Sequence, residues 1–533
     1  MIGYLTQNHP LISAFARAPV RRTPREAVAA RRIFKTAPKL SDYFFAGEII
    51  AAKGPLDRPI SGLALDSRRV APGAVFFALP GRRTTGGGFI DEAISRGAVA
   101  IVASGLPAVP AGGVTFIQVA DARVALAAVA QRFYKFPDRD LNVVGVTGTR
   151  GKTTVAHLLQ HLLQGDQRVG LMGSIHCDLG ARTVPSSGPA PEALEVFGLL
   201  GQMRDAGCRH AVLELNTPDL ASPPARGVRY GAVVFTNLTH DASAGPGPGG
   251  AEGEPRSRPG SGEPGPVPRV TVVNLDDAPG GELAARLAAE AGATRVVTFG
   301  EHAAAQVRAE NIVLGRRQSR FRLVWPGGAL EIDSPLLGRH NVSNLLAAIA
   351  TAWGLGRDPL VLLARLRSLP GVPGCLERIE AGQACQVIVD CAHTAETLRH
   401  TLGLLRALTP GRLCVVFGCG GRRDRALRPG ITRVVQEFAD FAVATADNPR
   451  TEALAQIFDD MRGGAVAPEK LAWIDDRRRA IGLALDLAGS DDCVLIAGQG
   501  HETRQEFADT VFPFDDRQVA RELIADRTTA PEN

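Results

Sequence analysis

Residues 145–154 read Gly-Val-Thr-Gly-Thr-Arg-Gly-Lys-Thr-Thr, directly after the apolar run Leu141–Val144 and directly before Val155-Ala-His-Leu-Leu. That order predicts a strand, a glycine-rich turn and the start of a helix. Such a turn presents several backbone N–H groups to one anion, and the helix dipole adds to the attraction. Gly148, Thr149, Arg150, Gly151, Lys152, Thr153 and Thr154 are therefore the candidate phosphate cradle, with Lys152 reaching the outer phosphates and the Thr153 hydroxyl available to a magnesium ion. The strict phosphate-loop spacing wants a glycine where Val146 stands; here the glycines fall at 145, 148 and 151. A tight strand-to-helix turn that binds nothing is the alternative reading of the same residues.

The chain has 533 residues, too many for one hydrophobic core, and about three domains are expected. With 45% hydrophobic and 22% charged residues it has the composition of an ordinary globular protein. No apolar run approaches the roughly 18 residues of a membrane span. Eight scattered cysteines contain no Cys-x-x-Cys pair, which argues against a zinc site or a disulfide framework and for a reduced, cytoplasmic setting. The net charge of +5 is misleading, because residues 1–39 hold eight Lys and Arg against Glu26 alone. The remainder carries −2, so nucleic-acid binding has no electrostatic support. The arginine-rich head reads as a disordered extension, with an organelle transit peptide as the alternative.

Beyond residues 1–46, the reading divides the chain into three α/β segments. Residues 47–140 mix short apolar runs (Val75–Leu79, Ala98–Ala103) with turns. Residues 141–367 hold the glycine-rich turn and the buried-strand candidates Ala211–Leu215, Ala232–Phe235 and Val270–Val273. Residues 368–533 repeat the alternation with Val387–Val389, Leu413–Phe417, Phe441–Thr445 and Cys493–Ala497. Strands alternating with helical patterns predict parallel sheets covered on both faces. Residues 242–268 are almost entirely Gly, Pro, Ala, Ser, Glu and Arg, and read as a disordered loop. Gly371-Val-Pro-Gly374 is the candidate hinge before the last segment.

From about Leu40 to Ala525 the motifs resemble the Mur ligase family, on its diaminopimelate-adding branch. The resemblance implies three domains: one for a uridine nucleotide, a central phosphate-loop ATPase and a C-terminal Rossmann-like domain for the incoming amino acid. It also implies the reaction, in which ATP phosphorylates the D-glutamate γ-carboxylate of UDP-MurNAc-L-Ala-D-Glu and the amine of meso-diaminopimelate displaces phosphate. Leu65-Asp-Ser-Arg68 resembles the uridine-binding segment, with Ser67 as the hydroxyl that meets the nucleotide. Thr147–Thr154 matches the ATP loop with Arg150 in place of asparagine, and Glu214 matches a magnesium-binding glutamate. Gly338-Arg-His-Asn341-Val-Ser-Asn344 resembles the motif whose asparagine, here Asn344, contacts adenine; helix capping by Asn341 is the local alternative. In Val389-Asp390-Cys-Ala-His393-Thr394, Asp390 takes the place near the ATP ribose. Phe417-Gly-Cys-Gly-Gly421, Arg423, Asp447-Asn448-Pro449-Arg450 and Ala497-Gly498-Gln-Gly-His-Glu502 resemble the diaminopimelate site. There Arg423 and Arg450 would fork a carboxylate, and Glu502 with the Gly498 carbonyl would accept from an ammonium.

The departures cluster. Ala242 stands at a metal-binding histidine position, Thr217-Pro218 follows Glu214 and Asn216, Pro224 replaces an arginine, and Pro189-Ala190 replaces a Thr-Thr pair. Cys375 stands where the family's hinge motif has arginine. No lysine occurs between Lys152 and Lys470, so the carbamylated lysine that holds the family's second magnesium has no counterpart. Three functions are compatible with this pattern. One is an ATP- and magnesium-dependent ligase with an altered metal site. Another is a catalytically inactive paralogue that binds nucleotide or diaminopimelate. The third is a ligase of the same type acting on another carboxylate. Oligomeric state is not legible.

Overall fold

The computed structural model describes residues 38–45, 47–80, 86–105, 113–165, 167–186, 191–216, 227–238, 267–290 and 294–529. The basic head through residue 37, the Gly/Pro-rich stretch through residue 266, and Pro189, Ala190, Thr217, Pro218, Pro224 and Ala242 lie outside them. The chain forms two compact units, residues 1–122 and 123–533. No described helix is long and apolar enough to cross a membrane.

The first unit holds a five-stranded sheet in the order Ala51–Lys53, Thr115–Gln118, Ala100–Ala103, Ala74–Phe77, Gly62–Ala64. Only Ala51–Lys53 pairs antiparallel. Its central strands are uninterrupted runs of buried residues, the pattern of a sheet covered on both faces. This unit starts earlier than the disordered extension through residue 46 expected from composition. Leu40 is fully buried, and its N–H donates to the Arg58 carbonyl.

In the second unit, eleven described strands form one sheet. Seven of them run parallel, from Val307–Leu314 through Arg295–Gly300, Val270–Asn274, Tyr230–Phe235, Asn142–Thr147 and Cys208–Glu214 to Arg168–Met172. Antiparallel strands extend both edges. Asn142–Thr147 lies between Tyr230–Phe235 and Cys208–Glu214, although the chain next visits Arg168–Met172. Strand order therefore reverses around it, which is where open α/β sheets place ligands, beyond the carboxyl ends of the strands. The helices Lys152–Leu163 and Arg339–Gly354 cover this region; Leu345, Leu346, Ile349, Leu158 and Leu159 pack with Val144, Val146 and Val234 in one core.

A second, six-stranded sheet follows in the order Glu377–Ile379, Gln386–Asp390, Cys493–Ala497, Leu413–Phe417, Phe441–Ala444, Leu471–Trp473. All but the first are parallel. The apolar runs anticipated four of these strands to within a residue or two and missed Leu471–Trp473. One polar element crosses this core. Arg477 is fully buried and forks both Asp516 oxygens at 2.7 Å, while its Nη2 also donates to the Ala497 carbonyl. It ties the helix Arg477–Leu487 to the start of the helix Asp516–Thr529 and to the end of a central strand. Removing one partner of a buried pair leaves an uncompensated charge and costs about 3–5 kcal/mol. Asp516→Ala is expected to lower stability by that amount, read as a fall in the urea midpoint of the C-terminal lobe.

Candidate functional site

The loop after Asn142–Thr147 is held open from the side by the end of the neighbouring strand. The Asn237 Oδ1 accepts from the backbone N–H of Thr149 (2.9 Å) and of Arg150 (3.1 Å), and its Nδ2 donates to the Arg150 carbonyl at 2.9 Å. Thr236 Oγ1 donates to that same carbonyl at 2.6 Å. Gly148 has φ +137°, and a Cβ there would lie 2.1 Å from Thr236 Oγ1. Gly151 has φ +80°, and a Cβ would lie 2.2 Å from Asn344 Oδ1. Both glycines are required by conformation and by contact. Lys152 Nζ folds over the loop and donates to the Gly148 carbonyl at 2.7 Å. Burial holds its pKa below the ordinary lysine value, with Glu214 opposing that shift.

Thr153, on the first turn of the helix, donates its hydroxyl to Glu214 Oε1 at 2.8 Å. Glu214 ends the adjacent strand, and its Oε2 accepts from the Ser174 N–H at 3.0 Å. Ser174 Oγ lies 3.2 Å from Thr153 Oγ1. The donor set is hard oxygen, and it fits a divalent cation that keeps water and phosphate as its other ligands. Among the described residues no three His, Cys, Asp or Glu side chains converge on a metal position. Imidazoles stand near Glu214 as well. His157 donates from Nδ1 to the Thr153 carbonyl, leaving its buried Nε2 without a partner, and burial holds the ring below its ordinary pKa. His501 is depressed by burial and by Arg517, with His157, His176 and Glu214 also in its field.

Asn344 is buried against Gly151, and its Nδ2 donates to Asn341 Oδ1 at 3.0 Å. Asn341 does not cap its helix. Gly338 occupies that position, and Asn341, three residues in, donates back to the Leu337 carbonyl. Asp390 is 7% exposed and accepts from the Leu376 N–H, the Ala392 N–H and the Thr401 hydroxyl. Burial raises its pKa against those three bonds. Here it clamps the turn that precedes its own sheet. Arg150 forms an ion pair with Glu396 on the helix Ala395–Leu408, so the residue that departs from the family's asparagine links the loop to the C-terminal lobe.

In that lobe Arg423 and Arg450 both approach Gly420, whose added Cβ would meet Arg450 Nη1 at 3.4 Å and Arg423 Nε at 3.6 Å. Arg450 adopts φ 55° and is held by Glu506 and by the Gly421 carbonyl. Arg422 adopts φ 60°. Left-handed backbone at non-glycine residues is costly and gathers at functional sites. Asn448 Nδ2 donates to Glu502 Oε2 at 2.6 Å, and the buried Asp447 lies against Gly498. Partial burial and the Asp447 carboxylate hold the Glu502 carboxyl above its ordinary range. Pro449 supplies backbone, its carbonyl packing on Gly421. Arg428, 1% exposed, pairs with Glu452 and Asp460 and braces the Gly420 carbonyl from beneath. Two arginines and two carboxylates thus share one rim.

Ser67, in the first unit, is 5% exposed and donates to Glu92 Oε2 at 2.6 Å. Sequence reasoning missed Asn237, Ser174 and Arg428. The first two follow strand ends, the one signal that pointed to them; nothing marked Arg428 out among neighbouring arginines.

With this geometry in place, similarity to known proteins is informative. The Mur ligase middle domain matches residues 146–242 and 263–352, the Mur ligase glutamate ligase domain matches 375–500, and the Mur ligase family catalytic domain matches 59–134. The break over 243–262 falls within the Gly/Pro-rich stretch. The chain belongs to the Mur ligase family. The UDP-N-acetylmuramoyl-L-alanyl-D-glutamate–2,6-diaminopimelate ligase of Solibacter usitatus is 38% identical over 467 residues, covering 87% of this chain and 93% of the relative. The protein of that name from Gloeobacter violaceus is 39% identical over 485 residues, 88% and 95% of the two chains. A solved structure of a ligase of that name has TM-score 0.64 at 28% identity and covers 93% of this chain and 100% of its own. The fold of a Thermotoga maritima MurF ligase in complex with ADP is shared at TM-score 0.54 and 18% identity, over 87% and 96% of the two chains.

Two outcomes are expected. Gly148→Ala drives a methyl group into Thr236 and should weaken ATP binding by roughly 10²-fold or more in calorimetry; Gly430→Ala, which meets nothing within 4 Å, should leave it unchanged. His340 is pushed down to about 4 by burial, by His400 and by Arg150. An unfolded histidine titrates at about 6.5, so the neutral ring stabilises the fold fully above that pH. That contribution, about 3 kcal/mol, is lost as pH falls toward 4. His340→Gln should flatten the pH dependence of Tm across this window.

Proposed function

We propose that the chain joins meso-diaminopimelate to UDP-MurNAc-L-Ala-D-Glu with hydrolysis of ATP. The observation that carries the substrate reading is the rim of the C-terminal lobe, where Arg423 and Arg450 flank Gly420 opposite Asp447 and Glu502. The distal end of diaminopimelate bears a carboxylate and an ammonium on one carbon. Two guanidinium groups suit the first through planar, charge-assisted bonds, and two carboxylates with the Gly498 carbonyl suit the second. Held this way, the other amine is left as the nucleophile.

The phosphate-loop backbone, Lys152 and Thr154 are assigned to ATP, Asn344 to the adenine side and Asp390 to the ribose side. In the first unit the uridine nucleotide is assigned to the turn around Ser67, whose hydroxyl and Glu92 form one hydrogen-bonded pair. Thr153 and Glu214 are the residues that would hold a magnesium ion, which supplies charge neutralisation for phosphoryl transfer. The γ-carboxylate takes the terminal phosphoryl group and ADP leaves; the amine then attacks the acyl phosphate, forming the amide and releasing phosphate and a proton. A cytoplasmic setting fits substrates that are nucleotide-linked precursors.

The charge that a lysine-bound second metal supplies in the family has no counterpart between Lys152 and Lys470. Loss of one such stabiliser costs roughly 10²–10³ in rate. A slow ligase is therefore expected. Similarity to ligases over most of the chain does not favour the binding-only alternative.

The test is phosphate release by the purified protein with ATP, magnesium, UDP-MurNAc-L-Ala-D-Glu and diaminopimelate. Release that needs both substrates supports the proposal; tight ATP binding without release defeats it. Arg423→Ala should raise the KM for diaminopimelate by roughly 10²-fold, the loss of charge-assisted bonds worth about 1.5–3 kcal/mol, with little change in ATP affinity.

A further inference from the structure

One departure from the family's motifs meets a second cysteine in space. Cys375 stands at the arginine position of the hinge motif, and Cys391 directly follows Asp390. The strands Glu377–Ile379 and Gln386–Asp390 pair antiparallel with Glu377 opposite Val389. Cys375 lies in the turn just before that ladder and Cys391 just after it, and their sulfurs are 3.9 Å apart. Both cysteines are half-buried, as is Cys385, whereas Cys177, Cys208, Cys414, Cys419 and Cys493 are buried.

The surroundings give such a bond a consequence. Gly374 has φ +64°, and a Cβ there would lie 2.1 Å from the His501 N–H nitrogen, so this turn is seated on Gly500 and His501 without slack. Leu376 adopts φ 48° and donates its N–H to Asp390. The turn joins the ATP-binding sheet to the C-terminal lobe and touches the segment that carries Glu502. Closing a sulfur separation of 3.9 Å to about 2.05 Å draws on a turn that has no slack against that segment.

We propose that Cys375 and Cys391 form a reversible disulfide that switches the ligase off. The oxidant is a low-molecular-weight disulfide. The Cys391 thiolate attacks one of its sulfurs and expels the first small thiolate. Cys375 then gives up its proton and attacks the Cys391 sulfur of the mixed disulfide, expelling the second. Two protein thiols are oxidised, one small disulfide is reduced to two thiols, and the two protons pass to the departing thiolates. The Cys391 contact, burial, and the nearby Asp390 and Glu214 raise the Cys375 thiol well above its ordinary value.

The bond can be tested apart from activity; the switch rests on the ligase reading. Full-length protein equilibrated with oxidised glutathione should lose two of its eight alkylatable thiols and yield one cross-linked peptide pair containing Cys375 and Cys391. Cys375→Ser should instead carry a glutathione adduct on Cys391. Phosphate release dependent on both substrates should fall at least tenfold on oxidation and return with dithiothreitol, while Cys375→Ser shows no such loss. Both thiols remaining alkylatable, or a cross-link between other cysteines, overturns the bond. A cross-link that leaves phosphate release unchanged overturns the switch. If the reduced protein releases no phosphate, the ligase reading fails, and the cross-link still decides whether the bond forms.

Discussion

The clamp of Thr236 and Asn237 on the loop 148–151 is the constraint on which the site depends. A loop that must present its N–H groups to phosphate needs its carbonyls satisfied elsewhere, because unpaired backbone groups are costly once partly buried. Here the Arg150 carbonyl is met by both side chains. The Asn237 amide oxygen takes the N–H groups of Thr149 and Arg150, which fixes the loop's shape and withdraws those two donors from a phosphate. The strand Tyr230–Phe235 thus positions the loop that follows its neighbour Asn142–Thr147. On the other side of Asn142–Thr147, the ends of Cys208–Glu214 and Arg168–Met172 position Glu214 and Ser174 around Thr153, so parallel register becomes a convergent set of oxygens.

The C-terminal rim is built by a different device. Asp447–Arg450 and Arg422 lie on loops, where backbone entropy works against fixed geometry. Their positions are held by the pairing of buried Arg428 with Glu452 and Asp460, by the Glu506 contacts to Arg450 and by the Asn448–Glu502 bond. The positive φ at Arg422 and Arg450 is tolerated because these bonds over-determine the loop.

Strands were legible because each is a bounded apolar run: Leu413–Phe417 and Cys493–Ala497 coincide with their sequence readings. The phosphate loop was legible because its residues are contiguous. What stayed hidden was long-range. Asn237 lies 88 residues from Thr149 and Arg428 lies 24 from Glu452, and neither residue type is unusual where it stands. Asn341 misled for the opposite reason. It is a good capping residue near a helix start, but Gly338 in a left-handed conformation begins the helix three residues earlier. Composition misjudged residues 38–45 likewise, because buried Leu40 and Phe44 and three backbone bonds to residues 56–60 anchor a short segment that looks like tail.

The departures from the family acquire a common logic once their places are known. Arg150 pairs with Glu396, and Cys375 touches Cys391. Both contacts lie between the loop or hinge and the C-terminal lobe. Each replaces a group that the family resemblance places near nucleotide or phosphate with one that binds protein instead. An arginine held by a glutamate contributes less positive potential to phosphate than a free one, since its charge is already neutralised at contact distance. A thiol contributes none. Cys375 in place of arginine removes a positive charge, whereas Arg150 in place of asparagine brings one that Glu396 already neutralises. Both substitutions add connections between two parts of the fold that flank the phosphate loop.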